Sequence, residues 1–195
     1  MKEVYTEDEV FERLIFSSHP LPKGTYEGCR FVHCDFANAD LAQFRFMDCH
    51  FRACNLSLAN ISGTVFQEAK FTGCKMLGLR FDAVSAFGLS FSFDACQLAH
   101  ASFQGVKCAK TIFRNTQLHE VDFSGCDLTA AVFDGCDLHR ALFVQSILEK
   151  TDFRTAFNYT IHPEENRMKK AKFSFPGVAG LLQHHGIELE GLPQT

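Results

Sequence analysis

The sequence lacks tryptophan and has only three Tyr, although it contains 22 Phe among 195 residues. It also lacks any run of about 18 apolar residues, the length that a transmembrane helix needs. No charge of one sign dominates, because 19 Lys and Arg against 23 Asp and Glu give a net charge of −4. That value argues against a polybasic nucleic-acid-binding protein. The first ten residues are charged and acidic, unlike a secretory signal, so we expect a cytoplasmic protein.

Large apolar residues are what the sequence has in abundance, and they recur at every fifth position. One frame runs from Tyr26 to Phe81 and a second from Phe93 to Phe153, with a shift of two residues between them near 84–92. Small residues, most often Cys, Ala or Thr, precede most of the large residues by two positions; Phe44, Leu79 and Phe91 are large residues at such positions. A period of five fits neither an α-helix nor a simple strand, so the chain must turn a corner every five residues. Because residues two apart on an extended chain face the same side, both series are predicted to point inward.

The repeated unit is a small residue, then Asp or Asn, then Leu or Phe. Its clearest copies are Ala39-Asp40-Leu41, Cys54-Asn55-Leu56, Cys126-Asp127-Leu128 and Cys136-Asp137-Leu138. From Phe11 to Phe153 this pattern resembles the pentapeptide-repeat family. The resemblance implies an all-β solenoid, a right-handed quadrilateral β-helix of about six to seven coils with four pentapeptides each, and a short C-terminal α-helix. We expect a cap or degenerate first coil at 1–25, the β-helix at 26–157, and a C-terminal cap, helix and tail at 158–195.

A coil of four pentapeptides would stack residues that lie 20 positions apart. Four charged residues share one outward position at this spacing, and their signs alternate. They are Asp94, Arg114, Asp134 and Arg154. The alternation predicts a structural ladder of salt bridges. Since exposed pairs contribute only ~0.2–1 kcal/mol each, the ladder would mainly favour the correct register.

All nine Cys fall on inward positions. In one interpretation they are small buried hydrophobic residues of the coil wall. In the other, stacked residues such as Cys34, Cys54 and Cys74 form a metal or redox site. We favour the first interpretation, because no CxxC spacing typical of zinc sites occurs. No cofactor and no metal are therefore expected.

Motifs for catalysis are lacking. No glycine-rich phosphate loop and no nucleophile elbow is present, so the protein is not expected to be an enzyme. His119 and His139 would stack as a pair that could bind a metal, but two solvent-facing side chains are the favoured interpretation. Five outward Asp residues occupy the Asp position of the repeat, where turn chemistry explains them. They are Asp35, Asp40, Asp122, Asp127 and Asp137.

The C-terminal end carries apolar residues on outward positions or in the predicted cap. Pro176 and Gly186 bracket a predicted short helix. This stretch resembles the C-terminal helix and tail through which pentapeptide proteins related to quinolone-resistance factors dimerise. The candidate dimer or partner surface comprises Leu142, Val144, Ile147, Leu181, Leu182 and Ile187. Either the protein's own helix covers the exposed residues of the last coils, or a second copy of the chain does.

Three classes of function remain: a module that binds a protein partner, a structural scaffold, and, least favoured, an enzyme. Within the first class, the resemblance implies a DNA mimic that occupies a type II topoisomerase such as DNA gyrase and protects it from quinolone-type poisons. Asp48 and Glu68 form the candidate acidic surface for such mimicry. The neighbouring column of Arg30, His50 and Lys70 is partly basic. Direct contact with nucleic acid or with a membrane is not expected, and the sequence names no partner.

Overall fold

The five-residue period folds into a solenoid of short parallel strands. The computed structural model describes residues 3–187, and the predicted tail beyond residue 187 lies outside this range. Each strand is short because the chain turns a corner after three or four residues. The strands are β1 (Val4–Glu7), β2 (Val10–Glu12), β3 (Gly24–Glu27), β4 (Arg30–Val32), β5 (Arg45–Met47), β6 (His50–Arg52), β7 (Val65–Gln67), β8 (Ala69–Thr72), β9 (Phe91–Asp94), β10 (Ile112–Arg114) and β11 (Val132–Asp134).

The strands form two parallel sheets that make two walls of the solenoid. One sheet has the order β1-β3-β5-β7, and the other runs β2-β4-β6-β8-β9-β10-β11 along the rod. Partners lie 20 residues apart, as Phe31 with Phe51. Single bridges at the same spacing, such as Asp35 with Asn55, continue the ladders on the other walls. The predicted β-solenoid is thereby confirmed, with about seven coils.

Residues with a left-handed backbone conformation turn the chain at the corners. A positive φ recurs every five residues, as at His33 and Asn38, and most of these positions hold a residue other than glycine. Outward Asp side chains support the turns, since the N–H of Ala37 donates to Asp35 over 2.9 Å. All five Asp residues singled out in the repeat accept such a bond from the N–H two residues later. The explanation of these residues by turn chemistry is confirmed.

One column of phenylalanine rings runs the length of the core. Adjacent rings are nearly parallel, with centroids 4.8–5.4 Å apart. The column consists of Phe11, Phe31, Phe51, Phe71, Phe93, Phe113, Phe133, Phe153 and Phe173. Because aromatic rings favour such offset stacks, the coil spacing and the ring spacing reinforce each other.

The frame shift produces a bulge in one wall without breaking this column. Phe71 and Phe93 pair across β8 and β9 although they are 22 residues apart. The extra residues leave the wall at Phe87, whose side chain is 67% exposed. Phe91 turns inward and packs with its ring centroid 5.4 Å from that of Phe81. It is buried at a small-residue position, as Phe44 and Leu79 also are.

The two ends of the rod differ in structure. At the N-terminal end, β1 and β2 pair with β3 and β4 at the 20-residue spacing. At the C-terminal end, 3₁₀ turns flank the short helix α1 (Ala179–Leu182), and Gly186 ends the 3₁₀ turn Gln183–His185 that follows it with φ +61°. A Cβ atom at Gly177 or Gly180 would collide with Tyr159, so both glycines allow the helix to dock closely. None of the helices within residues 3–187 has the length and apolar character to cross a membrane.

Candidate interaction surfaces

A concavity lies at the C-terminal cap, between the last coils and α1. It has a volume of about 570 Å³ and is lined by residues such as Arg140, Asn158, Tyr159 and Gln183. The Tyr159 hydroxyl is buried without a hydrogen-bond partner among the described residues, and burial raises its pKa to about 12. Within residues 3–187, no three His, Cys, Asp or Glu side chains lie close enough to hold a metal ion.

His119 and His139 lie on one wall, with ring centroids 5.8 Å apart. His119 Nε2 is 2.7 Å from an Asp137 carboxylate oxygen, and Asn158 donates to the other oxygen over 2.8 Å. Partial burial by itself would raise the pKa of Asp137, but these two hydrogen bonds outweigh it and lower the pKa below its usual value. His119, Asp137 and Asn158 therefore form a local hydrogen-bonded cluster on the surface.

The predicted charge ladder forms in only one step among the described residues. Arg114 Nε lies 3.5 Å from Asp134. Arg154 turns instead to Asp152, at 2.7 Å, and Asp94 lies in register with Arg114 without a salt bridge. The long Arg154 side chain reaches a carboxylate two residues away in its own turn more readily than one in the next coil. Alternating charge along this column thus does not become a continuous ladder.

A run of carboxylates follows one corner of the N-terminal half of the rod. We call it the acidic edge: Glu7, Asp8, Glu27, Asp48 and Glu68. Asp48 and Glu68 are successive left-handed corner residues at the 20-residue spacing, as the sequence indicates. The other three were missed, because the pairing of β1 with β3 places them on the edge and the first coil was ambiguous in sequence. Lys70 Nζ lies 3.1 Å from Asp48 and neutralises part of this edge.

Apolar side chains are exposed on the last coils and the cap. We define the apolar C-terminal surface as Leu142, Val144, Phe157, Phe175 and Ile187, all large side chains exposed to solvent. The other candidates, Ile147, Leu181 and Leu182, are half-buried, and Leu181 packs against the core. The protein's own helix therefore does not cover Leu142 or Val144. Sequence reasoning missed Phe157 and Phe175 because the repeat frame ends before them.

Two models of pentapeptide-repeat families match the repetitive part of the chain. "Pentapeptide repeats (8 copies)" matches residues 29–67 and 49–85, and "Pentapeptide repeat region" matches residues 86–153. Together they span residues 29–153. The chain belongs to the pentapeptide-repeat family.

Solved structures of two QnrB1 variants share this fold. A trypsin-treated variant of QnrB1, a plasmid-mediated fluoroquinolone resistance protein, has a TM-score of 0.62 at 15% identity, covering 95% of this chain and all of that one. A second trypsin-treated QnrB1 variant gives 0.64 at 15% identity, with 96% and 92% covered. HetL, involved in heterocyst differentiation in the cyanobacterium Nostoc sp. strain PCC 7120, gives 0.49 at 13% identity, with 87% of each chain covered. No curated protein sequence matches the chain.

Membership and geometry together support a non-catalytic repeat protein. In this pentapeptide-repeat rod the inward residues fill the coils, so that partners can meet only the outer walls and the two ends. The fold alone does not specify function. The acidic edge and the apolar C-terminal surface are two features that distinguish one part of the outer surface from another.

Proposed function

We propose that the protein is a non-catalytic module that binds another protein through its outer surface. The observation that carries this proposal is the apolar C-terminal surface. Phe175 is 88% exposed and Leu142 is 53% exposed. Large apolar side chains grouped at one end of a rigid rod are typical of interaction sites, and aromatic residues contribute most to such interfaces. A rigid backbone also lowers the entropic cost of binding.

A second copy of this chain is the partner that we propose for this end. An end of a rod can pair with itself about a two-fold axis, which uses the same patch on both subunits. Leu142 and Val144 belong to a regular coil and are held in place by its hydrogen bonds, as where the Leu142 N–H donates to Val121 over 2.9 Å. They would meet a partner without rearrangement. A different protein with a matching apolar surface could occupy the same end.

Disrupting the apolar C-terminal surface is expected to separate the dimer. At micromolar concentration the native chain should scatter light as a dimer. A Leu142→Asp, Val144→Asp double variant should scatter as a monomer, because each carboxylate would be desolvated in the interface. Leu58, which is 64% exposed in the other half of the rod, provides the matched control Leu58→Asp. A native chain that remains monomeric at tens of micromolar would contradict the dimer.

A second candidate function is binding to a type II topoisomerase, as a mimic of DNA. The acidic edge favours it, because Asp48 and Glu68 are spaced by one coil, about 4.8 Å, along a straight rod. The shared fold with QnrB1 supports the idea only at the level of architecture. The salt bridge from Lys70 to Asp48 weakens the negative potential of this edge.

Gyrase protection is tested directly by a supercoiling assay with and without a quinolone. If the candidate holds, the protein restores supercoiling that the quinolone inhibits. An Asp48→Lys, Glu68→Lys double variant should then require about tenfold more protein, because reversing charge opposes a DNA-binding surface. Glu164→Lys, an exposed change near the other end, is the control. Absence of both binding and protection at tens of micromolar would eliminate this function.

A further inference from the structure

Basic side chains lie in register on one wall of the N-terminal half of the rod. The pairing of β4, β6 and β8 stacks Arg30, His50 and Lys70 in one column. Arg52, at the end of β6, lies two residues from His50 on the same outer face. We call these four residues the basic strip. A chain with a net charge of −4 thus has a concentrated positive surface on three successive strands.

Neighbouring carboxylates neutralise the basic strip only in part. Lys70 Nζ is 3.1 Å from Asp48, whereas Arg30 and Arg52 form no salt bridge with any residue in the described range. All three cations are exposed. Farther along the same wall, Arg114 pairs with Asp134, so the positive excess is confined to the first half.

The state of His50 reports the same positive environment. Partial burial lowers the pKa of His50 below its ordinary value, and the charges of Lys70, Arg52 and Arg30 lower it further. The charge of Asp48 raises the pKa of His50, but it does not cancel the lowering by burial and by the three cations. Three cations therefore act together at one point on the wall, which is the property that attracts an anionic ligand.

The dimensions of the basic strip limit which kind of anionic ligand can dock on it. Three strands span about 10 Å along the rod, and alternate residues on a strand lie about 7 Å apart. The acidic edge borders one side. Duplex DNA would place its second phosphate strand across a groove about 12 Å wide, beyond the strip. A single extended polypeptide is narrow enough, and its alternate side chains, about 7 Å apart, match the separation of His50 and Arg52 along β6.

We propose that the basic strip docks an acidic, extended segment of a protein partner. This inference rests on the proposed protein-binding function and assigns a second surface to it, away from the apolar C-terminal surface. The segment's carboxylates would meet Arg30, Arg52 and Lys70, and the interaction would be governed by charge.

Fluorescence anisotropy with a labelled oligoglutamate peptide tests the docking surface. Binding is expected at about 50 mM salt and should weaken several-fold at about 200 mM, because exposed charges are screened. An Arg30→Glu, Arg52→Glu double variant should bind at least about tenfold more weakly. Arg114→Glu is the matched control, since Arg114 occupies the same column as Arg52 on the same wall, and it should change the affinity by less than about twofold.

Three results would overturn the proposal: no saturable binding of the peptide, an equal loss in the Arg114→Glu control, or tighter binding of a duplex oligonucleotide than of the peptide. Far-ultraviolet circular dichroism of each variant establishes that it is folded. Failure here leaves the dimer measurement at the opposite end unaffected, so the two proposals fail independently.

Discussion

Replacing Phe113 by alanine is expected to lower the free energy of unfolding by about 3–5 kcal/mol. The side chain is completely buried in the middle of the rod. Its ring stacks between Phe93, at a centroid distance of 5.2 Å, and Phe133, at 4.9 Å. Backbone hydrogen bonds fix the spacing of the coils, so the walls cannot close around the cavity. The loss of stability should therefore lie near the upper end of the range for deletion of a buried aromatic ring.

Chemical denaturation followed by circular dichroism measures this loss. Phe87→Ala removes the same ring from the bulge, where the side chain is 67% exposed, and should change stability by no more than about 0.5 kcal/mol. Because each coil of a solenoid is stabilised by its neighbours, the Phe113 defect weakens both halves of the rod. A difference between the two variants below about 1 kcal/mol would contradict the continuous aromatic column.

The architecture follows closely from the five-residue period. Inward positions accept only apolar or small residues. The residues of a coil wall can therefore be recognised in the sequence, as Phe93 and Cys96 illustrate. The bulge leaves a weaker trace. The change of frame before Phe93 marks its position, but the exposure of Phe87 beside the buried Phe91 is not evident from the spacing. Packing in three dimensions decides that detail.

The interaction surfaces were less predictable, because outward residues are free of the constraints on the core. Asp48 and Glu68 were recognisable from their spacing, whereas Glu27 joined them only through strand pairing. Arg154 shows the limit of the spacing rule. Its neighbour Asp152 competes successfully for the guanidinium over 2.7 Å, and sequence spacing alone cannot weigh a local contact against one between coils.

The nine cysteine thiols line the inner face of the coil walls. All are buried and free. Cys54 Sγ donates to the Phe31 carbonyl over 3.3 Å, and Cys74 Sγ donates to that of Phe51 at the same distance. Thr151 occupies an equivalent position and donates its hydroxyl to Leu128 over 2.8 Å. At these positions the small inward residue donates to the coil beneath, and a thiol or a hydroxyl serves equally well.

Such thiols are expected to react with an aromatic disulfide reagent at least about 10³-fold more slowly in the native protein than in the unfolded chain. The thiolate is the reactive form, and burial raises the pKa of Cys49 and Cys136 to about 12. Because all nine thiols are buried, a reagent reaches them only when the coil opens. Leu58→Cys places a thiol on a 64% exposed position away from the proposed dimer end and should react at nearly the unfolded rate. Rapid native labelling of any of the original nine, or zinc found by elemental analysis, would instead favour the redox or metal interpretation.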